Sequence, residues 1–231
     1  MELADVVRSR AMVRRFDPAR PVPRGALDRV LASALRAPSA GFSQGWDFVV
    51  LEDAVDVAAY WSATTDDGDP GDESAGDGQD RPGLPVDTGQ GRRRAWLDGV
   101  RTAPVLVVCC SHKDAYLSRY AEPDKGWTDN DEARWPVPYW DIDTGMAALL
   151  MLLTAVDVGL GALFFGVPPE HHDGVHEHFG IPRARTLIGV VALGYAAEQR
   201  APSPGSAQTR RRRPPGEVLH FGRFGTSRAL A

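Results

Sequence analysis

The feature that most constrains the fold is a long apolar segment at residues 144–158. A helix formed by this segment carries apolar side chains on most of its faces, so it has to be surrounded by other parts of the chain. Asp143 is a residue type that caps helix N-termini, and Gly159 follows the other end. The apolar run 146–158 contains Asp157 and is too short to cross a bilayer. The sequence therefore predicts a buried central helix in a domain that does not enter a membrane.

Segments of both secondary-structure types surround this helix. Apolar residues at helical spacing and prolines at helix boundaries predict helices at 2–10, 24–36, 55–61 and 168–179. Short apolar runs predict strands at 48–51, 105–110, 162–165 and 187–193. The strands are too dispersed along the chain for a continuous βαβ series. We therefore expect a single α+β domain that covers residues 1–231.

Two long segments interrupt this pattern. Residues 64–91 contain eight acidic residues and seven glycines but almost no apolar side chains, so they bury too little surface to offset the entropy of ordering. We expect a flexible acidic insertion there. Residues 113–140 lack a regular pattern but are rich in aromatic side chains, which favours a lid or a pocket wall. Tyr139 and Trp140 adjoin the central helix and are the candidates to contact a substrate.

The composition argues against several classes of protein. The net charge of −5 excludes nucleic-acid binding driven by overall positive charge. The N-terminus lacks a basic region followed by an apolar stretch, so no signal peptide is predicted. Cys109 and Cys110 are neighbours that point to opposite faces of a strand, so no ordinary disulfide is expected between them. Two reduced thiols are typical of a cytoplasmic protein.

A histidine-rich segment does not predict a metal site. His171, His172, His176 and His178 lie close together, and some pairs have the spacing of metal ligands on a helix. The prolines and acidic residues beside them are typical of an exposed helix start, so we expect solvated side chains and no metal. No Gly-x-Gly-x-x-Gly motif follows a predicted strand, so a Rossmann-type nicotinamide domain is not predicted.

Three clusters have residue types suited to ligand binding. Arg10 and Arg14 lie four residues apart at a helix exit, where they either grip an anion or form a solvated basic helix end. The small residues of 37–46, with Ser39 and Gln44 as polar groups, either admit a flat or charged ligand or simply connect a helix to a strand. Residues 210–213 are all arginine, and they form a solvated face, a phosphate contact or, least favoured, a nucleic-acid contact.

The order of these clusters resembles the nitroreductase family over essentially the whole chain. Arg10 and Arg14, the turn 38–46, the long apolar helix, the segment 159–166 and the C-terminal stretch 210–214 follow one another as they do in that family. The turn is the most specific part of the match. The resemblance implies a mixed sheet flanked by helices, an entwined homodimer, FMN at the dimer interface and NAD(P)H as co-substrate.

The resemblance also implies roles for individual residues. Arg10 is expected at the FMN phosphate beside the backbone of Ala11 and Met12, and Arg14 at the N1–C2=O edge of the isoalloxazine, where a cation favours the reduced flavin. Phe42 is expected in the substrate pocket with Tyr139 and Trp140. The remaining expected cofactor contacts are Pro38, Ser39, Ala40, Phe42 and Gln44 from the other subunit, Phe164, Phe165 and Gly166 along the ring, and Arg210 and Arg212 at the phosphate.

Two positions in the turn depart from the family pattern. Phe42 stands where the family usually has Asn, and Gly45 where it usually has Pro. A Phe at the first position resembles the oxygen-dependent, flavin-cleaving dimethylbenzimidazole synthases. The family resemblance as a whole implies transfer of hydride from NAD(P)H to a nitro, quinone or other conjugated small molecule by a ping-pong cycle. An oxygen-using or desaturating flavoenzyme of a specialised pathway, and a protein that sequesters FMN without turnover, stay open as alternatives.

Overall fold

The computed structural model describes residues 1–65, 89–198 and 210–228. The chain divides into two compact units, Met1–Arg200 and Ala201–Ala231. The single domain over 1–231 stays a prediction. Most of the expected acidic insertion, residues 66–88, lies outside the described residues.

One sheet forms the centre of the first unit. Its strands are β1 (Trp46–Leu51), β2 (Val105–Ser111), β3 (Gly161–Phe165) and β4 (Thr186–Gly194), in the order β1-β2-β4-β3. All neighbouring strands pair antiparallel. Parallel pairing among the described residues is limited to an isolated bridge between Met12 and Ala162. The predicted α+β class and all four predicted strands are confirmed, but the four strands form an antiparallel sheet rather than the expected mixed one.

Helices cover both faces of the sheet. In the first unit α1 to α7 are Leu3–Ser9, Arg24–Ala34, Ala54–Ala63, Gly89–Val100, Lys113–Tyr120, Tyr139–Asp157 and His172–His178. In the second unit α8 is Pro215–Val218. Short 3-10 turns occur at Ala40–Phe42, Glu132–Arg134 and Pro169–His171.

Sequence-based expectations about three helices were wrong. The histidines around α7 were expected to be solvated, but His171 and His176 are only 8% and 7% exposed. The central helix α6 begins at Tyr139 rather than after Asp143, so Asp143 lies in the second turn and does not cap the helix. The aromatic segment 113–140 is not wholly irregular, because α5 occupies its first part. The errors at α5 and α6 have one origin, since polar and aromatic residues at the ends of a helix obscure the apolar period that marks its interior.

The core consists of two layers separated by the sheet. All seven residues of β2 are buried, and they alternate between the layers as the pleat requires. Val105, Val107 and Cys109 pack with residues of α2 and α6, whereas Leu106 and Cys110 pack with residues of α3 and α7. Neither free cysteine is exposed. The two thiols thus lie on opposite faces, as the sequence predicted, and burial raises the pKa of Cys110 to about 12.

Helix α6 is central, but one of its faces is not covered. Ala147, Met151 and Ala155 are buried against the sheet and α2. On the other side Ile142, Met146 and Leu149 are 38%, 41% and 48% exposed. By length and mean hydropathy alone this helix also meets the criteria for a membrane span, and 44% of it is buried inside the protein. The expectation of a helix enclosed on all sides is therefore only partly met within one chain.

Candidate functional site

The first group of predicted ligand contacts lies in the segment that joins α1 to the sheet. Met12 bridges to Ala162 in β3, and the amide of Val13 donates to the Ala162 carbonyl at 3.0 Å. Further along, Phe16 bridges to Ala196 just beyond β4. These backbone bonds fasten the segment to the β3 side of the sheet.

Arg10 carries a buried donor that has no acceptor among the described residues. Its Nη1 atom is shielded from solvent and bonds to no described residue. Arg14, in contrast, donates from Nη1 to the Met12 carbonyl at 3.2 Å. A buried donor on a charged group is costly when it is left unpaired, and a guanidinium pairs well with phosphate oxygens. The surroundings of Arg10 therefore fit an anionic ligand.

The second group of predicted ligand contacts lies at the C-terminal end of strand β3. The Phe165 ring stacks on Trp61, with centroids 5.8 Å apart and an interplanar angle of 9°. Phe164 packs on the opposite face, in the layer of α2 and α6. Gly166 is exposed, and a Cβ at that position would have no described atom within 4 Å. The backbone after β3 is thus open to a flat ligand, while both phenylalanine rings point into the cores.

The third group is the turn 38–45, which enters β1 from the other side of the sheet. Gly41, Phe42 and Gln44 have φ angles of 62°, 58° and 50°. Such left-handed conformations cost side-chain-bearing residues about 1–3 kcal/mol each, and they persist only where the surroundings enforce them. The Phe42 side chain is 75% exposed. Pro38 and Gln44 are also exposed, and Ser39 and Ala40 are half-buried.

A buried carboxylate holds this turn. Asp143, 4% exposed, accepts at Oδ2 from the Ala40 amide and from the Tyr116 hydroxyl, both at 2.8 Å. Burial, and then the bond to Asp143, raise the pKa of Tyr116, which stays protonated as the donor. Within the turn, Ser39 Oγ accepts from the Gln44 amide at 3.0 Å. The turn is therefore tied to the central helix and closed on itself.

Helix α5 fixes the turn from a second direction. Arg119 donates from Nε to the Gly41 carbonyl at 3.0 Å and pairs through both terminal nitrogens with Asp124 at 2.7 Å. A Cβ at Gly41 would lie 2.6 Å from the Tyr120 ring. A Cβ at Gly45 would lie 2.5 Å from the Tyr116 ring. The Gly45 departure from the family turn thus has a steric reason, since only glycine leaves room for Tyr116.

The aromatic residues of 113–140 form a packed cluster around Trp135. The ring centroids of its neighbours lie 4.7–6.0 Å from that of Trp135, and these neighbours are Tyr116, Tyr120, Trp127, Tyr139 and Trp140. Trp140 is only 6% exposed, whereas Tyr139 is 44% exposed. Of the two residues in this cluster that were predicted to contact a substrate, Tyr139 is therefore accessible, and Trp140 mainly supports the cluster.

The predicted residues fall into two groups at opposite edges of the sheet. Arg10 to Arg14 and Phe164 to Gly166 belong to the β3 edge, while the turn 38–45 precedes β1. Three strand spacings, about 14 Å, separate these edges. A single chain therefore does not gather them into one compact site. Arg210 and Arg212 are exposed residues of the second unit, and their phosphate contact stays a prediction.

Several residues that shape the turn were not found as such from the sequence. The sequence predicts Asp143 as a helix cap and Tyr116 as part of a lid, and it carries no signal for Arg119. Asp143 lies 103 residues from Ala40 and 27 residues from Tyr116. No local spacing signals contacts of this length, so only the tertiary structure identifies them.

Comparison with known proteins identifies the fold and its class. A family model described as the nitroreductase family matches residues 7–195. The chain therefore belongs to the nitroreductase family, as the order of its motifs indicated.

Relatives of this chain come from archaea and bacteria. A protein of Methanothermobacter thermautotrophicus with the provisional name NADH dehydrogenase/NAD(P)H nitroreductase is 25% identical over 208 residues, which cover 86% of this chain and 79% of that protein. A protein of Archaeoglobus fulgidus with the same name is 26% identical over 176 residues, or 75% and 74% of the two chains.

Solved structures share the fold. A nitroreductase family protein of Clostridium difficile superposes with a TM-score of 0.64 at 20% identity, covering 97% of this chain and all of the other. A nitroreductase of Desulfovibrio desulfuricans, provisionally so named and solved in complex with FMN, gives a TM-score of 0.61 at 20% identity, with 97% and 98% coverage.

We predict that Gly45→Ala destabilises the protein. The added methyl group would collide with the Tyr116 ring and with the His112 carbonyl, 2.7 Å from the new Cβ, so the free energy of unfolding should fall by about 1–3 kcal/mol. Urea unfolding followed by fluorescence measures this change. Gly25→Ala in α2 is the matched control, because nothing described lies within 4 Å of its Cβ, and it should be neutral or slightly stabilising. Equal effects of the two substitutions would contradict the steric account.

Proposed function

We propose that this protein is an FMN-dependent oxidoreductase that transfers hydride from NAD(P)H to a nitro, quinone or other conjugated small molecule in a ping-pong cycle. The observation that carries the proposal is a buried guanidinium nitrogen of Arg10 that bonds to none of the described residues, beside an edge of the sheet whose backbone is open at Gly166. One end of this region favours a phosphate and the other a flat ring. FMN has both.

Individual residues have distinct tasks in this proposal. Arg10 binds the phosphate, with the backbone of Ala11 and Met12 beside it. Arg210 and Arg212 are proposed as phosphate contacts from the family resemblance alone. Arg14 directs positive charge to the N1–C2=O edge, where it stabilises negative charge. The backbone at 164–166 lines the ring, and bound FMN supplies the two-electron redox chemistry. The protein then has to bind, orient and shield its substrates rather than provide a nucleophile.

In this proposal the turn 38–45 reaches the flavin from a second copy of the chain. It lies at the sheet edge opposite Arg10, so one chain leaves the site incomplete. An apolar stripe on α6, formed by Ile142, Met146 and Leu149, offers the surface that a second copy would cover. Exposed apolar side chains in contiguous rows are typical of protein interfaces. We therefore propose a homodimer with a composite site at each end of its interface.

Names of relatives support the cofactors. One structure with the same fold, from Desulfovibrio desulfuricans, holds FMN, and so does a nitroreductase from Bacteroides fragilis, whose TM-score is 0.54. The archaeal relatives carry NADH and NAD(P)H in their names. Phe42 of the turn and Tyr139 of the aromatic cluster are both exposed, and we assign them to the substrate pocket. The two free buried thiols are consistent with the reducing cytoplasm, where we place the reaction.

Reduction of the purified protein by nicotinamide tests this function. The protein should bind FMN and turn yellow, and anaerobic NADH or NADPH should bleach its visible absorbance until a nitroaromatic or a quinone restores it. A protein that takes up no FMN would contradict the proposal, and a yellow protein that neither nucleotide bleaches would favour sequestration. Loss of flavin in air after reduction would favour the oxygen-dependent alternative that Phe42 suggests.

Arg10→Ala should weaken FMN binding, because it removes a charge-assisted hydrogen bond to the phosphate. A bond of this kind contributes about 1.5–3 kcal/mol, so the FMN dissociation constant should rise about tenfold or more. Quenching of FMN fluorescence on titration measures the constant. Arg8→Ala is the matched control. Arg8 is an exposed arginine of α1, two residues before Arg10, and it pairs with Asp5 at 3.1 Å. Equal affinities of both variants would contradict the phosphate assignment.

A further inference from the structure

The position of Asp143 within α6 does not explain why a carboxylate is buried there. It is 4% exposed, lies inside α6 rather than at its end, and forms no ion pair with any residue that the structure describes. A buried carboxylate is unfavourable unless hydrogen bonds compensate for the loss of water. Its Oδ2 atom accepts two such bonds, from the Ala40 amide and the Tyr116 hydroxyl.

These two donors connect structures that are far apart in the sequence. Tyr116, fully buried, belongs to α5, and its ring also packs against Gly45 at the end of the turn. Ala40 begins the 3-10 turn whose next two residues, Gly41 and Phe42, are left-handed. Asp143 and Tyr116 therefore fix both ends of the stretch 40–45.

The backbone strain within residues 40–45 explains why other parts of the chain have to hold them in place. Phe42 and Gln44 carry side chains in a backbone region that favours glycine, and the Phe42 side chain is three-quarters exposed, so it gains little packing from its own chain. A strained conformation of this kind relaxes unless neighbouring groups hold it. Among the described contacts, the bonds to Asp143 and from Arg119 hold the Ala40 amide and the Gly41 carbonyl.

We propose that Asp143 and Tyr116 are positioning residues that hold the turn 40–45 in the conformation that receives FMN. This inference rests on the proposed function, since it assumes that the turn meets the flavin. Neither residue touches the ligand in this account. They act by removing the conformational freedom that the turn would otherwise lose on binding.

Substitution of the pair tests the inference. Asp143→Asn removes the charge that the two donors share, and it should raise the FMN dissociation constant about tenfold. Tyr116→Phe removes one donor and should raise the constant by a smaller factor. Because both act through one interaction, the double variant should bind FMN about as weakly as Asp143→Asn alone. The visible circular dichroism of bound FMN should change in both single variants, which a general loss of stability does not produce.

The same helix supplies a matched control. Asp141 accepts from the Ser111 hydroxyl at 2.6 Å, so it also joins α6 to the sheet region, but it bonds to no described residue of the turn. Asp141→Asn makes the same chemical change two residues away and should leave the FMN constant and the dichroism unchanged. Urea unfolding of each variant without FMN shows whether it folds.

The outcomes separate the two proposals. If the wild-type protein binds no FMN, the proposed function fails. If the wild type binds FMN and Asp143→Asn binds it equally well with an unchanged dichroism spectrum, only the positioning role fails. Weakening by Asp141→Asn to the same extent would also overturn that role. Should Asp143→Asn not fold, Tyr116→Phe takes its place, and an unaltered constant and spectrum in that variant would overturn the inference.

Discussion

The hydrogen bonds to Asp143 are the point at which the central helix, the aromatic segment and the turn before β1 meet. A carboxylate that is 4% exposed has few ways to stay buried, and here two donors from distant parts of the chain share one of its oxygens. This arrangement constrains all three elements together. The helix needs a polar residue at an otherwise apolar position, α5 needs a tyrosine at its centre, and the turn needs its Ala40 amide directed inward.

The sheet sets the second constraint on the site. Its antiparallel order β1-β2-β4-β3 sends Arg10 and the open backbone at Gly166 to one edge and the turn to the other. The two groups differ in character: the first has a buried donor that meets no acceptor in the described part of the chain, and the second has backbone with left-handed φ angles. In the proposed dimer the two half-sites of different chains complete each other. The uncovered apolar stripe on α6 then belongs to the same interface.

Much of the fold followed from periodicity in the sequence. The apolar runs located all four strands, and the alternation along β2 placed Cys109 and Cys110 in different layers. The order of the motifs indicated the family to which the chain belongs. These features are local or ordered along the chain, so a single sequence reveals them. The start of α6 was missed because Tyr139 to Asp143 are not periodic in hydrophobicity.

The contacts that surround the turn could not be predicted from the sequence. The space that makes Gly45 necessary is defined by the Tyr116 ring, 71 residues further on, and the bond from Arg119 to Gly41 spans 78 residues. Such contacts depend on how helices and strands pack rather than on local propensity. The same holds for the separation of the ligand-binding residues onto two sheet edges, which became visible only with the strand order.

In the proposed dimer each FMN site takes Arg10 from one chain and the turn from the other, and a mixed dimer tests this arrangement. An Arg10→Ala subunit and a Gly41→Val subunit, in which the new Cβ would meet Tyr120, are co-expressed with different tags and purified together. In such a dimer one composite site carries both lesions and the other carries neither. One of the two sites should then bind FMN with wild-type affinity, although each parent dimer binds weakly. Weak binding at both sites of the mixed dimer would contradict it.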